Sequence, residues 1–197
     1  MSLNIPLVNS IITSIAFVVI VLAVLIDFIE NHSGRKAKKE KKSWVETGSM
    51  FVFFFLFYFV IRFKVGTFSF PINSLAIFEI YLCWFVIVLG TWFNVAGRIT
   101  LGKNWANQIK IYKNHTLKTE GVYSMVRHPL YASLIWIFYA CSIIYFNVAA
   151  FFLNTLVFVP MMYYRAKQEE KLLSEQFKNY KAYQKGVGMF VPKFKIR

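Results

Sequence analysis

The chain has 197 residues, 57% of them hydrophobic, and carries 23 Lys and Arg against nine Asp and Glu, a formal net charge of +14. Its apolar residues form long uninterrupted blocks bordered by basic ones, a distribution that excludes an ordinary soluble core and points to an integral membrane protein. Basic residues at the ends of apolar segments set membrane topology and attract anionic lipid, so the charge gives no reason to invoke nucleic acid.

A spanning helix needs about 20 largely apolar residues, because each adds about 1.5 Å and the hydrocarbon is about 30 Å thick. Residues 7–28 meet that requirement. No basic region precedes them and no small-residue cleavage site follows, so they read as a retained first span rather than a signal peptide. Residues 48–61, GSMFVFFFLFYFVI, form a shorter Phe-rich run that reaches span length only if Arg62 and Lys64 snorkel outward. Residues 75–96 form a third span, in which Glu79 near the start carries no expected catalytic role. Residues 130–164 are too long for one span, and Asn147 in YFNVA predicts a tight turn between two short helices. The expectation is therefore an all-α polytopic bundle of five transmembrane helices. Cys83 and Cys141 lie inside apolar segments without ligand spacing and read as packing residues.

Counting Lys and Arg in the connections sets the orientation. The 29–47 loop holds six, the 97–129 loop six and the tail from Arg165 nine, against Arg62 and Lys64 on the other face. That asymmetry places the N-terminus outside and both large polar regions and the C-terminus in the cytosol. In the tail, Leu172, Leu173, Phe177 and Tyr180 recur at three- and four-residue intervals, which predicts a cytosolic amphipathic helix ended by Gly186 or Gly188. The whole chain reads as a single domain. Residues 1–96 hold the first three spans, and residues 97–197 hold the chemistry-bearing region with the hairpin and tail.

Two stretches carry the chemistry. The first, HTLKTEGVYSMVRHPLY, runs from His115 to Tyr131 into the fourth span. Gly121 marks a sharp turn, and Pro129 suits a first helical turn, where its missing N–H is no loss. Arg127 and His128 are thereby held at the mouth of the bundle. The second is Arg165-x-x-x-Glu169-Glu170 at the end of the fifth span. Four-residue spacing puts Arg165 and Glu169 on one helical face, and Glu170 points about 100° further round. The hairpin returns this segment to the face that carries Arg127 and His128, so the two clusters can meet. Taken singly, each of these residues reads as an interfacial anchor or a surface ion-pair partner; an apolar bundle that concentrates both signs at one place suggests function. Tyr123, Tyr131, Tyr180 and Tyr183 suit an interfacial belt or the walls of a pocket equally. His32, His115 and His128 have no metal-ligand spacing, and no glycine-rich phosphate loop, serine elbow or cysteine nucleophile is present.

At these two stretches the sequence resembles the isoprenylcysteine carboxyl methyltransferase family, within a broader group that includes phospholipid methyltransferases and sterol reductases. The resembling text is HTLKTEGVYSMVRHPLY and RAKQEEKLLSEQFKNYKAYQKGVGMFVPKF. The resemblance implies an S-adenosylmethionine-dependent enzyme whose cofactor sits in a cytosol-facing pocket closed by the C-terminal segment. It implies cofactor contacts from His115, Leu117, Gly121, Val122, Tyr123, His128, Pro129, Tyr131 and Glu170, with Arg127, Arg165 and Glu169 at the reacting end. A lipidic or prenylated substrate would enter laterally from the membrane. Fewer spans and a shorter acidic run than the animal type leave the acceptor open.

Methyl transfer from a sulfonium to a carboxylate is an in-line displacement in which two opposite charges disappear, so an ionised carboxylate needs positioning rather than a general base. Arg127 or Arg165 is suited to hold that carboxylate through forked hydrogen bonds. A phospholipid amine is an alternative acceptor that fits an Arg-rich mouth less naturally. A noncatalytic scaffold binding anionic lipid is a further alternative, and it predicts that the two clusters stay apart.

Overall fold

The structure is a computed structural model, and it describes residues 4–31, 37–41, 44–69, 73–104, 109–112 and 116–193. Helix α1 spans Ile5–Asn31, α2 Trp44–Arg62, α3 Ser74–Leu101 and α4 Pro129–Ile144. Helix α5 runs Val148–Gln176, and a short α6 covers Tyr180–Gly186. The connections after α1 and α3 supply two strands, β1 (Ala37–Lys41) and β2 (Ile109–Tyr112), paired antiparallel. This short ribbon is an addition to the expected all-α bundle.

Three helices are long and apolar enough to cross a bilayer: Ile5–Ile29, Ser74–Leu101 and Val148–Gln176. Five spans of full length are therefore not found among the described residues. The apolar part of α2, Gly48–Arg62, and the whole of α4 are shorter. The reasons are local. Basic and polar residues flank the Phe-rich run of α2, while Pro129 opens α4 and the turn at Asn147 closes it after 16 residues. A helix of that length reaches about 24 Å, less than the hydrocarbon thickness.

Helix α4 is the centre of the bundle and packs most extensively on α3. Gly97 permits the approach, since a Cβ there would stand 2.7 Å from Leu130 Cδ1. The Phe-rich sequence of α2 is used for docking: the Phe53 ring stacks on Phe158 of α5 at 4.5 Å, and Phe57 lies 4.6 Å from Phe138 of α4. The opposite faces stay apolar and open, with Phe17, Phe51 and Leu156 each about two-thirds exposed, as lipid-facing surface requires.

Asn147 makes the predicted turn and does more. Its Oδ1 caps α5 by accepting from the Ala150 N–H at 2.7 Å. Its Nδ2 donates to the Val60 and Val65 carbonyls, both at 3.0 Å, and to Thr67 Oγ1 at 2.9 Å, which ties the hairpin turn to the α2–α3 connection. Helix α5 contains a π-helical turn, Asn154–Phe158, just before Pro160, in which the Val159 N–H reaches back to the Asn154 carbonyl.

The predicted amphipathic tail helix is not a single element. The helical path from α5 ends at Gln176, where Phe177 turns extended, and α6 resumes at Tyr180. Its apolar residues do pack inward: Tyr180 is 1% exposed, and Leu172, Leu173 and Phe177 are half-buried. The break lets the tail fold back over the start of α4 instead of extending along a membrane surface.

Candidate active site

Gly121, at φ +58°, opens a 3-10 turn over Gly121–Ser124 that buries Val122 and Tyr123. The chain then enters α4 at Pro129, with His128 as the residue before the helix. The returning tail pairs with this entry: Gly188 bridges Val126, the Arg127 N–H donates to the Gly188 carbonyl at 2.8 Å, and the His128 N–H donates to the Met189 carbonyl at 3.1 Å. With both backbone groups held by the tail, the two side chains turn toward α5.

There they meet the second motif. Arg127 Nε donates to Glu170 Oε1 at 2.7 Å, and Arg127 Nη2 lies 2.7 Å from the same oxygen. Arg127 Nη1 donates to the Gln184 carbonyl at 3.1 Å and to the Val187 carbonyl. Gln184 Nε2 donates to Glu170 Oε2 at 2.7 Å. One carboxylate and one guanidinium thus fasten α4, α5 and the tail together, with Glu170 3% and Arg127 8% exposed. A charge pair this deeply buried persists only because hydrogen bonds satisfy most of its remaining atoms.

His128 lies between the two glutamates, with Nε2 3.3 Å from Glu170 Oε1 and Nδ1 3.4 Å from Glu169 Oε2. The Tyr131 hydroxyl donates to Glu169 Oε1. Arg165 Nε donates to the Tyr131 hydroxyl at 2.9 Å, lies 3.7 Å from Glu169 Oε1, and its Nη1 reaches Met50 Sδ on α2 at 3.4 Å. The Tyr183 hydroxyl donates to the Tyr123 carbonyl at 2.6 Å, which pins α6 to the turn.

Burial alone would depress the His128 imidazole, but its contacts with Glu169 and Glu170 outweigh that and hold it above its ordinary value. Both ring nitrogens face carboxylates, an arrangement that favours the protonated ring. Burial pushes the Tyr183 phenol up to about 12, so it stays a neutral donor. Burial, reinforced by the Glu169 charge, also raises Tyr123.

The two motifs separated by more than 30 residues therefore converge, against the expectation of a scaffold whose clusters stay apart. Arg127, His128, Tyr131, Arg165, Glu169 and Glu170 form one network, with Pro129 beneath it and Val122 and Tyr123 buried at its side. Leu117 and Gly121 lie on the preceding loop, while His115 lies outside the described residues. Sequence reasoning missed Gln184, which completes the Glu170 contacts, and Met50 on α2. It also missed Asp27, Asn94 and Arg98. Those three had a signal, since Asn94 and Arg98 stand four apart on a helix and Asp27 is an acid at the end of an apolar block.

One further feature bears on a ligand. The Tyr180 hydroxyl is buried and has no hydrogen-bond partner among the described residues. It lies within the electrostatic reach of Glu170, Arg127 and Glu169. An unsatisfied buried hydroxyl costs about 1–3 kcal/mol, a cost that a polar ligand removes. Carboxylates, a donor-rich wall and this hydroxyl suit a small zwitterion with a cationic group and hydroxyls.

Residues 72–175 match the isoprenylcysteine carboxyl methyltransferase (ICMT) family. Among solved structures, the fold is similar to that of the eukaryotic intramembrane Ras methyltransferase ICMT, with a TM-score of 0.54 and 24% identity. That match covers 77% of this chain but only 53% of the other, so the chain spans about half the length of that protein. No curated protein sequence matches. Because the matched stretch is more than half of the chain and contains both converging motifs, the chain belongs to the isoprenylcysteine carboxyl methyltransferase family.

Proposed function

We propose that the protein is an S-adenosylmethionine-dependent membrane O-methyltransferase that esterifies the carboxylate of an isoprenylated cysteine or a similar lipidic acid. The observation that carries this reading is the convergence of Arg127, His128 and Tyr131 with Arg165, Glu169 and Glu170 at one end of the bundle. Residues 97–197 supply the cofactor-binding and catalytic region, and residues 1–96 supply the first three membrane elements.

The residues present fit the cofactor. Glu169 and the Tyr180 hydroxyl offer acceptors to its cationic and hydroxyl groups, Glu170 supports them by holding Arg127, His128 and Gln184 in place, and the turn from Leu117 to Tyr123, with His128, Pro129 and Tyr131, walls the site. When bound, S-adenosylmethionine would supply a transferable methyl group on a sulfonium, with the thioether as the leaving group that takes the electron pair. Because transfer to an ionised carboxylate would need no proton to move, the chain's task is to align one oxygen lone pair while excluding water.

The two arginines divide that work. Arg127 spends its donors on Glu170 and two tail carbonyls, so it fastens the tail and acts as a positioning residue. Arg165 lies on the side of α5 that reaches α2, where a lipidic acceptor would arrive from the bilayer, and is suited to orient the carboxylate. Full neutralisation of the nucleophile would slow attack, so Arg165 holds one oxygen and leaves the other reactive. The Lys and Arg on the same face favour anionic lipid around the entrance.

This reading places five membrane crossings, with α2 and α4 crossing as short helices shielded by their neighbours, the N-terminus outside and the site in the cytosol. The test is binding of S-adenosylhomocysteine to the detergent-solubilised protein, followed in the same preparation by methyl transfer to a small prenylated cysteine. Binding with transfer supports the reading, and binding without transfer rejects the acceptor. No binding rejects the class. Arg165→Ala should lower turnover on the order of a hundredfold, with Arg165→Lys in between; unchanged turnover in both would sink its role.

A further inference from the structure

The matched family region begins at residue 72, so α1 lies outside it, yet α1 carries a buried carboxylate directed at the catalytic half. Arg98 Nη1 donates to Asp27 Oδ2 at 2.6 Å, with both side chains 10% exposed. The guanidinium continues the chain of contacts. Arg98 Nε donates to Asn94 Oδ1 at 2.9 Å, and Asn94 Nδ2 donates to Ser133 Oγ at 2.8 Å and to the Leu130 carbonyl at 3.3 Å. Ser133 Oγ itself donates to that same Leu130 carbonyl at 2.9 Å. Asn94 and Ser133 are fully buried.

The end of this relay is the first turn of α4. Leu130 lies between Pro129 and Tyr131, and two residues after His128. The relay reaches these atoms from the face of α4 toward α3, while the site lies on the face toward α5. A fixed amide at Asn94 therefore sets the rotation and height of the turn that aims Tyr131 at Arg165 and Glu169. The fixing of Asn94 depends on Arg98, because an Asn amide with a free oxygen can swing or flip, and Asp27 holds the Arg98 guanidinium through a direct charged hydrogen bond. A buried ion pair adds little net stability compared with an apolar pair of the same shape, so retention of this one at the site end of three helices calls for another role.

We propose that Asp27 and Arg98, acting through Asn94 and Ser133, are positioning residues for the active site: an α1-to-α3-to-α4 relay that locks the turn carrying His128 and Tyr131. The proposal rests on the functional reading above for its kinetic consequence, but the geometric consequence stands without it. The relay touches neither acceptor nor cofactor, so it acts on turnover and on the environment of His128 rather than on acceptor affinity.

The experiment compares the wild-type protein in detergent with Asp27→Asn, Asp27→Glu, Asn94→Leu and Ser133→Ala. It uses three measurements: thermal unfolding, the His128 imidazole titration by histidine-selective NMR, and kcat and KM with a small prenylated cysteine. The titration is assigned by loss of one signal in His128→Gln. The expected result is that Asp27→Asn and Asn94→Leu lower kcat on the order of ten- to a hundredfold with KM little changed. Their His128 midpoints should move down toward the ordinary imidazole value as the contacts with Glu169 and Glu170 loosen. Asp27→Glu should recover both properties in part. Folded variants that lose thermal stability but keep the wild-type kcat and His128 titration would overturn the proposal, since the pair would then only join helices. Should the Asp27 and Asn94 variants fail to fold, Ser133→Ala, which removes one hydroxyl, must still shift the His128 midpoint; an unmoved midpoint overturns the relay. Because the titration needs no cofactor, it decides the relay even if the wild-type protein proves to bind no S-adenosylhomocysteine.

Discussion

His128 shows how one residue can join two clusters. Either glutamate alone would hydrogen-bond one ring nitrogen and leave the other to choose its protonation; with Glu170 on Nε2 and Glu169 on Nδ1, both nitrogens are drawn to the protonated state. The ring lies between two carboxylates at adjacent positions of α5, and its protonated form offsets their mutual repulsion. Because the folded protein holds His128 above its ordinary value of 6.5, the stabilisation is fully present below that value and is lost as pH rises through the raised folded value. The wild-type unfolding midpoint in detergent should therefore fall as pH increases from 6.5 upward, and His128→Gln should flatten that part of the profile. Parallel profiles for the two proteins would show that the imidazole is neutral in the folded state.

At the level of elements, the tail depends on one backbone position. A Cβ on Gly188 would stand 1.8 Å from the Val191 carbonyl oxygen, a contact that only a backbone shift relieves. The same segment supplies the carbonyls of Gly188 and Met189 to the N–H groups of Arg127 and His128. Gly188→Ala should cost about 1–3 kcal/mol and should expose the tail to limited proteolysis while α3 and α4 stay protected. Intact protection of the tail would show that the turn can be rebuilt around a side chain. The sequence made Gly188 legible as a possible helix stop, but not as the point where the chain doubles back. Asn147 was legible as a turn because a polar residue in a 35-residue apolar run has few other uses. Its donor contacts to the end of α2 and to the α2–α3 connection were not, since they join positions some 80 residues apart. The i,i+4 pair of Arg165 and Glu169 could be read from helical spacing alone. The role of Gln184 could not, because it depends on the break at Phe177 that brings α6 back over Glu170.

Across the whole molecule, the charged contacts among the described residues gather at one end of the bundle, with a neutral polar cluster at the other and the buried Asn154 amide between them. At one end, Asn9 Nδ2 donates to the Ile144 carbonyl and Trp84 Nε1 to Asn9 Oδ1, beside the hairpin turn. At the other end lie the Asp27 and Arg98 pair and the Arg127 and Glu170 pair. A bilayer accepts this arrangement because the middle of each long helix presents apolar surface, whereas ions in the hydrocarbon would need partners. On the proposed topology, attraction of the basic end to anionic lipid would favour a cytosolic placement of that end. In a background with Cys83 and Cys141 replaced by alanine, a reporter from Asn4→Cys or Lys64→Cys should react with a membrane-impermeant maleimide on intact expressing cells. A reporter from Lys118→Cys or Lys193→Cys should react only after lysis. The reverse pattern would put the site outside the cell, where it would meet neither the cytosolic cofactor pool nor the anionic leaflet, and would overturn the functional assignment together with the topology.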